Sequence, residues 1–152
     1  LIRVDEMTWK EVLKGSADPD FLSITVPGVV GTTRHVVMKI PRGKRLSMSK
    51  LRTLIKPLAM IEVKNIADLP ELMRTDMIIL SQVEEIGKHP GLLSIGAAME
   101  SGMIEVDTIN GRMLFNSFAV LWLATSDENI PEGFKKNSTV ITIPEEEDVF
   151  EE

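Results

Sequence analysis

Cysteine and tyrosine are absent from this chain of 152 residues, and histidine occurs only twice. Without cysteine there can be no disulfide and no thiolate metal site, and His35 and His89 are too few and too separated to build a zinc site. No metal site is therefore expected. No apolar run approaches the roughly 18 residues that cross a bilayer, and the opening LIRVDEMTWKEVLKG lacks the charged-then-apolar order of a signal peptide. These absences predict a soluble, cytoplasmic protein with no membrane partner. Acidic residues are missing from one long stretch: residues 21–61 contain none, while Arg34, Lys39, Arg42, Lys44, Arg45, Lys50, Arg52 and Lys56 all fall there. Such a segment is either a solvated basic face or a surface for phosphate, in nucleotide or nucleic acid.

What is present suffices for one core. Apolar residues make up 43% of the chain and its net charge is −6, which suits a single domain. Thr8 followed by Glu11 predicts a capping box, with Trp9, Val12 and Leu13 sharing a face until Gly15. FLSITV, residues 21–26, reads as a strand buried on both faces, HVVMKI as a brief helix broken by Pro41, and PRGKR as a basic loop. Met48, Leu51, Leu54, Ile55 and Leu58 recur at spacings of three and four, which predicts a helix closing near Pro57. AMIEV and MIIL read as strands separated by a short helix, and Pro90 opens a helix that Gly102 ends. Asn110-Gly111 between two alternating runs predicts a β-hairpin with a type I′ turn. FAVLWLA and STVITI supply two more strands around another short helix.

This alternation predicts an α/β three-layer sandwich: a mostly parallel, five-stranded sheet between helices, with an inserted β-hairpin. The expected organisation is an N-terminal helical segment (1–18), an α/β core (19–144) and an acidic tail (145–152) that is either a disordered end or the start of a following segment.

The turn after the first expected strand contains Gly28, Gly31, Thr32, Thr33, Arg34 and His35. A phosphate-binding loop, G-x-x-x-x-G-K-S/T, needs its second glycine so that amides can wrap the phosphates, its lysine to neutralise them and its hydroxyl to hold magnesium. Thr33, Arg34 and His35 stand in those three places. The run MIILSQVEE resembles the hydrophobic strand ending in Asp-Glu of the AAA+ P-loop ATPases, with Ser81 and Gln82 in place of the acids. HPGLLSIGAAMESGMIEV is similar to the helix and insert hairpin of the branch containing the minichromosome-maintenance helicases, MoxR and magnesium chelatase. LWLATSDE resembles the sensor-1 strand, with Asp127 as its polar residue, and Lys135 or Lys136 stands in the arginine-finger place. The resemblance spans residues 21–144 and implies an AAA+-like core with degenerate motifs and, since nothing remains after Pro144 for it, no helical lid.

Without the acid pair, hydrolysis would lack both its metal scaffold and its base, and Glu84 and Glu85 are the nearest substitutes. The expectation is a non-enzymatic structural or interaction module, without cofactor although ATP with magnesium is the ligand to test, linked to DNA replication or other nucleic-acid transactions. A protein partner or a homo-oligomer would complete it, and Arg112 near the hairpin tip would be a contact for DNA or a partner. Two alternatives stand beside this. One is a nucleotide-binding or ATP-hydrolysing subunit, Arg34 holding phosphate and Lys135 or Lys136 reaching across an interface. The other is nucleotide-independent nucleic-acid binding through residues 34–56, with Arg42, Lys44 and Arg45 foremost.

Overall fold

The computed structural model describes residues 8–18, 34–57 and 59–152. In chain order its elements are α1 (Trp9–Ala17), β1 (Val36–Lys39), α2 (Met48–Ile55), β2 (Met60–Glu62), a 3-10 turn (Ile66–Asp68), α3 (Leu69–Leu72), β3 (Ile78–Val83), a second 3-10 turn (Ile86–Lys88), α4 (Pro90–Ala98), β4 (Met103–Thr108), β5 (Gly111–Asn116), β6 (Val120–Thr125), α5 (Glu132–Asn137) and β7 (Thr139–Thr142). Five strands form one sheet in the order β2-β3-β6-β1-β7, and every neighbouring pair is parallel. The remaining two, β4 and β5, form a separate antiparallel hairpin.

Residues 35–40 correct the sequence reading. Expected as a brief helix, they hold β1, whose Val36, Val37 and Met38 are buried between β6 and β7. Two consecutive β-branched residues lose little in a pleated strand covered on both faces, and pairing on both sides outweighs any local helical preference. The expected strand at residues 21–26 lies outside the described residues. The sheet's first described strand is thus the segment after the one chosen from sequence.

The core has two halves because the sheet is covered on both faces. On one side Val12 and Leu13 of α1 and Leu51 and Ile55 of α2 pack with Met38, Leu80, Trp122 and Ala124, joined by Val149 and Phe150 from the acidic tail. On the other, Leu69, Leu92, Ile95 and Phe134 from α3, α4 and α5, with Ile104 and Val106 of the hairpin, cover Val37, Ile79, Leu121 and Leu123. Each fully buried large side chain contributes about 1.5–3 kcal/mol relative to exposure. The tail is therefore no disordered end: Val149 and Phe150 are buried parts of the core.

Local rules explain the element ends. The Thr8–Glu11 capping box forms, with Glu11 N–H donating to Thr8 Oγ1 at 3.3 Å. At the hairpin, Thr108 pairs with Gly111, so Ile109 and Asn110 are the central turn residues. Only Gly111 is left-handed, at φ +98°, which replaces the expected type I′ turn by one completed with a glycine bulge. A β-branched residue such as Ile109 resists the positive φ that a type I′ turn demands.

Helices α4 and α5 touch through glycine. A Cβ on Gly133 would stand 2.6 Å from the Gly96 carbonyl oxygen, and one on Gly96 would stand 2.7 Å from the Phe134 ring. Gly133→Ala should therefore lower unfolding stability by about 1–3 kcal/mol through overpacking against backbone. Urea denaturation followed by circular dichroism checks this, and an unchanged midpoint would mean that the helices can separate freely.

Candidate functional site

In an open α/β sheet, ligands bind outside the carboxyl ends of the strands where successive connections leave for opposite faces. Here that point lies between β1 and β6. The chain leaving β1 enters α2 on one face, while the chain leaving β6 enters α5 on the other. The crevice is bounded by the loop 40–47 after β1, the ends of β2 and β3, and the turn after β6. Ile40 N–H donates to the Thr125 carbonyl at 3.0 Å, which fixes the start of the loop against β6.

Gln82, at the end of β3, organises this crevice. Its Oε1 accepts from Leu46 N–H at 2.7 Å, while its Nε2 donates to the Leu46 carbonyl at 3.1 Å and to Glu62 Oε1 at 2.9 Å. One amide thus satisfies both polar backbone groups of a residue in the loop. Glu62, at the end of β2, also receives Arg45 and Lys64. Burial alone would push the Glu62 carboxyl up, but hydrogen bonds from Lys64 and Gln82 and the charges of Arg45 and Lys64 outweigh it and hold it below the usual range.

The acidic tail closes the outer side. Ser47 N–H donates to the Val149 carbonyl and Glu151 N–H to the Arg45 carbonyl, both at 2.8 Å, forming a short antiparallel bridge between Leu46 and Phe150. Lys50, in the first turn of α2, donates to Asp148 at 2.9 Å and to the Phe150 carbonyl at 3.1 Å. Its ammonium is held above the ordinary lysine range, first by the Asp148 hydrogen bond. Arg45 adds a contact to Glu151 at 3.6 Å, and Trp9 Nε1–H donates to Glu147 at 3.4 Å. Ser47 caps α2 by accepting from Lys50 N–H at 3.3 Å. The loop's amides and the basic segment are thus largely engaged within the chain.

Of the expected phosphate-loop residues, Gly28, Gly31, Thr32 and Thr33 lie outside the described residues. Arg34 and His35 are corrected by the structure. They lead into β1, so they sit at the amino edge of the sheet, away from the crevice. Arg34 Nε donates to the Ser16 carbonyl at 3.0 Å, Ser16 Oγ donates to the Arg34 carbonyl, and Trp122 Nε1–H donates to Ser16 Oγ at 2.8 Å. These bonds tether the end of α1 to β1 and β6. His35 Nδ1 accepts from Leu121 N–H at 3.0 Å, which puts the proton of the neutral ring on Nε2. Burial, and then the adjacent Arg34 charge, lower its pKa from 6.5 to about 4.

The other expected residues scatter. Ser81 is buried on the face shared with Ile79, and its Oγ has no hydrogen-bond partner among the described residues. Asp127 accepts from Ile86 N–H at 3.0 Å and Asn129 N–H at 2.9 Å, so its two oxygens tie the turn after β3 to the turn after β6. Lys135 and Lys136 are exposed in the last turn of α5, which delivers the chain to the start of β7. Glu84 is exposed, and Glu85 pairs with Lys88 at 3.0 Å. Arg112 is spent on Asp107 at 3.1 Å and Glu105 at 3.5 Å. Arg42 and Lys44 stand exposed on the loop after β1, at the crevice.

Sequence reasoning missed Glu62, Leu46 and the tail anchor Val149–Phe150 as parts of this site. Glu62 was detectable as a lone charge ending an apolar strand, and Val149-Phe150 as an apolar pair inside an acidic run. Among the described residues, no group of three or more acidic or histidine side chains is arranged to hold a metal ion, and no helix is long and apolar enough to cross a membrane. No protein-family model matches the chain, and no curated protein is similar enough to count as a relative.

The buried imidazole makes stability depend on pH. Its folded value lies below its unfolded one, so the unfolded chain binds the extra proton as pH falls from 6.5 toward 4. The contribution is full above pH 6.5, is lost through that window, and amounts to at most about 3 kcal/mol. Urea midpoints of the wild type should fall over this range more steeply than those of His35→Asn; parallel profiles would contradict the assignment.

Proposed function

We propose that this chain is a non-hydrolysing α/β module of the P-loop type, in which the crevice that would hold nucleotide is occupied by the protein's own groups. The Gln82 contacts carry this reading: the amide at the end of β3 grips the loop after β1 at Leu46, where the resembled ATPases would present an acid to magnesium. The doubly wound sheet supports the kinship, with the loop 40–47 in the phosphate-loop place. The resemblance of residues 77–85, 89–106 and 121–128 adds to this support.

Magnesium nucleotide does not fit these residues. Leu46 N–H and Ser47 N–H, which an anion would need, already donate to Gln82 and Val149. Glu62 is committed to Arg45, Lys64 and Gln82. Ser81 carries no charge. The function left to such a domain is shape and surface, as a structural or interaction component of a larger assembly. The resemblance to replicative helicases implies that this assembly handles nucleic acid.

Direct nucleic-acid binding through residues 34–56 draws less support. Arg34 bonds to Ser16, Arg45 and Lys50 are neutralised by Glu62, Asp148 and Glu151, and Arg52 donates to the Met60 carbonyl. Arg42, Lys44 and Lys56 remain exposed, which is few for phosphate-driven affinity.

Isothermal calorimetry with magnesium-ATP tests the proposal. The expected outcome is no saturable heat at millimolar ligand. Micromolar binding that Lys44→Ala abolishes would overturn it and make the chain a nucleotide-binding subunit.

A further inference from the structure

The hairpin is fastened to α3 and α4 by one face and leaves a groove of about 680 Å³ beside them. Ala97 and Ala98 of α4 line one side of it and the hairpin the other, where Ile104 and Val106 are turned into the core and Leu114, paired across the strands with Glu105, stands on the opposite face of the ribbon. Leu114 at its lip is 58% exposed, and Ile109 and Met113 further along the hairpin are exposed as well. Apolar side chains held in the open around a concave surface mark a place where another chain docks.

The rim charges select the chemistry of that chain. Asp68 and Glu71 line one side, and Glu105 and Asp107 the other. Arg112 lies on Glu105 and Asp107, and Arg74 pairs with Glu71 at 2.8 Å while its guanidinium stacks 3.7 Å from the Phe115 ring. With each arginine cancelling one carboxylate, two negative charges remain. A phosphate backbone is repelled by this rim, and an acidic peptide is too. A segment with apolar side chains on one face and lysine or arginine beside them is attracted.

We propose that the groove between α3, α4 and the hairpin binds a basic amphipathic helix of a partner protein. Apolar anchors at i, i+3, i+4 and i+7 lie along Ala97 and Ala98 of α4 and reach Leu114 at the lip, and flanking cations meet Asp68, Glu105 and Asp107. Arg112 serves to hold the two hairpin carboxylates in place. This deepens the reading of the domain as an interaction module by giving the partner its chemistry. The groove lies on the opposite face of the sheet from α2 and the tail, so it does not depend on whether nucleotide binds.

The probe is a fluorescent helical peptide with leucines at those spacings and lysines flanking them, titrated with the intact chain and followed by anisotropy. Saturable binding is expected, weakened at least roughly ten-fold, about 1.4 kcal/mol, by Leu114→Ser and by the pair Glu105→Lys with Asp107→Lys. All three side-chain positions concerned are on the exposed hairpin or its lip, and circular dichroism confirms that the variants fold. Replacing the peptide's lysines by glutamates should abolish binding. No binding, equal binding of the acidic peptide, or binding indifferent to both variants would overturn the proposal. Self-association that Leu114→Ser abolishes would overturn it in favour of a second copy of this chain. Salt-sensitive retention of single-stranded DNA that Arg112→Glu weakens would overturn it in favour of nucleic acid. Failure of the peptide with ATP still unbound would sink the groove and leave the non-hydrolysing reading standing.

Discussion

The grip of Gln82 on Leu46 sets the character of the carboxyl edge. A neutral amide offers a donor and an acceptor at once, so it can satisfy both the N–H and the carbonyl of one loop residue and still reach Glu62. A carboxylate in its place could accept from Leu46 N–H but would face the Leu46 carbonyl and Glu62 with like polarity. Leaving a buried polar group unsatisfied costs about 1–3 kcal/mol. The paired donor and acceptor of this amide are thus what let the loop close.

Charge segregation in sequence becomes local neutrality in three dimensions. The basic stretch has no acid of its own, and its counterions come from both sides: Glu62 from the following strand, and Asp148 and Glu151 from the tail. The exposed pairs to Asp148 and Glu151 contribute little each, about 0–1 kcal/mol. The tail is held chiefly by burial of Val149 and Phe150 and by its backbone bridge to the loop. An acidic run with an apolar pair at its centre behaves as a strap with two pegs. The charged residues around the pegs then meet the lysine and arginine that α2 and its loop present.

Most of the fold was legible because its strands are buried runs and its helices carry clear stripes. β2, β3, β6 and β7 lie within a few residues of their expected places, and the Leu51–Ile55 stripe faces the core as its spacing requires. The failure was at residues 35–40. Val36, Val37 and Met38 carry no periodicity that separates a short buried strand from a helix, and what decides is pairing with β6 and β7, which are distant in sequence. That error also misplaced Arg34 and His35, which lead into β1 at the amino edge, while Gly28, Gly31, Thr32 and Thr33 lie outside the described residues. Gln82 was identified as occupying an acid's place, but its bonding partner Leu46 lies 36 residues away and could not be foreseen. The expected role of Arg112 as a contact for DNA or a partner left out Glu105 and Asp107, which face it only once the hairpin's register is known.

The account stands on the claim that the loop after β1 is closed by the protein itself. Hydrogen exchange at the Leu46 and Ser47 amides measures this directly, because each has an identified acceptor within the chain, Gln82 and Val149. Strong protection without ligand, unchanged when magnesium-ATP is added, is the predicted result. Rapid exchange in the free protein, with protection arising only on addition of nucleotide, would contradict the account.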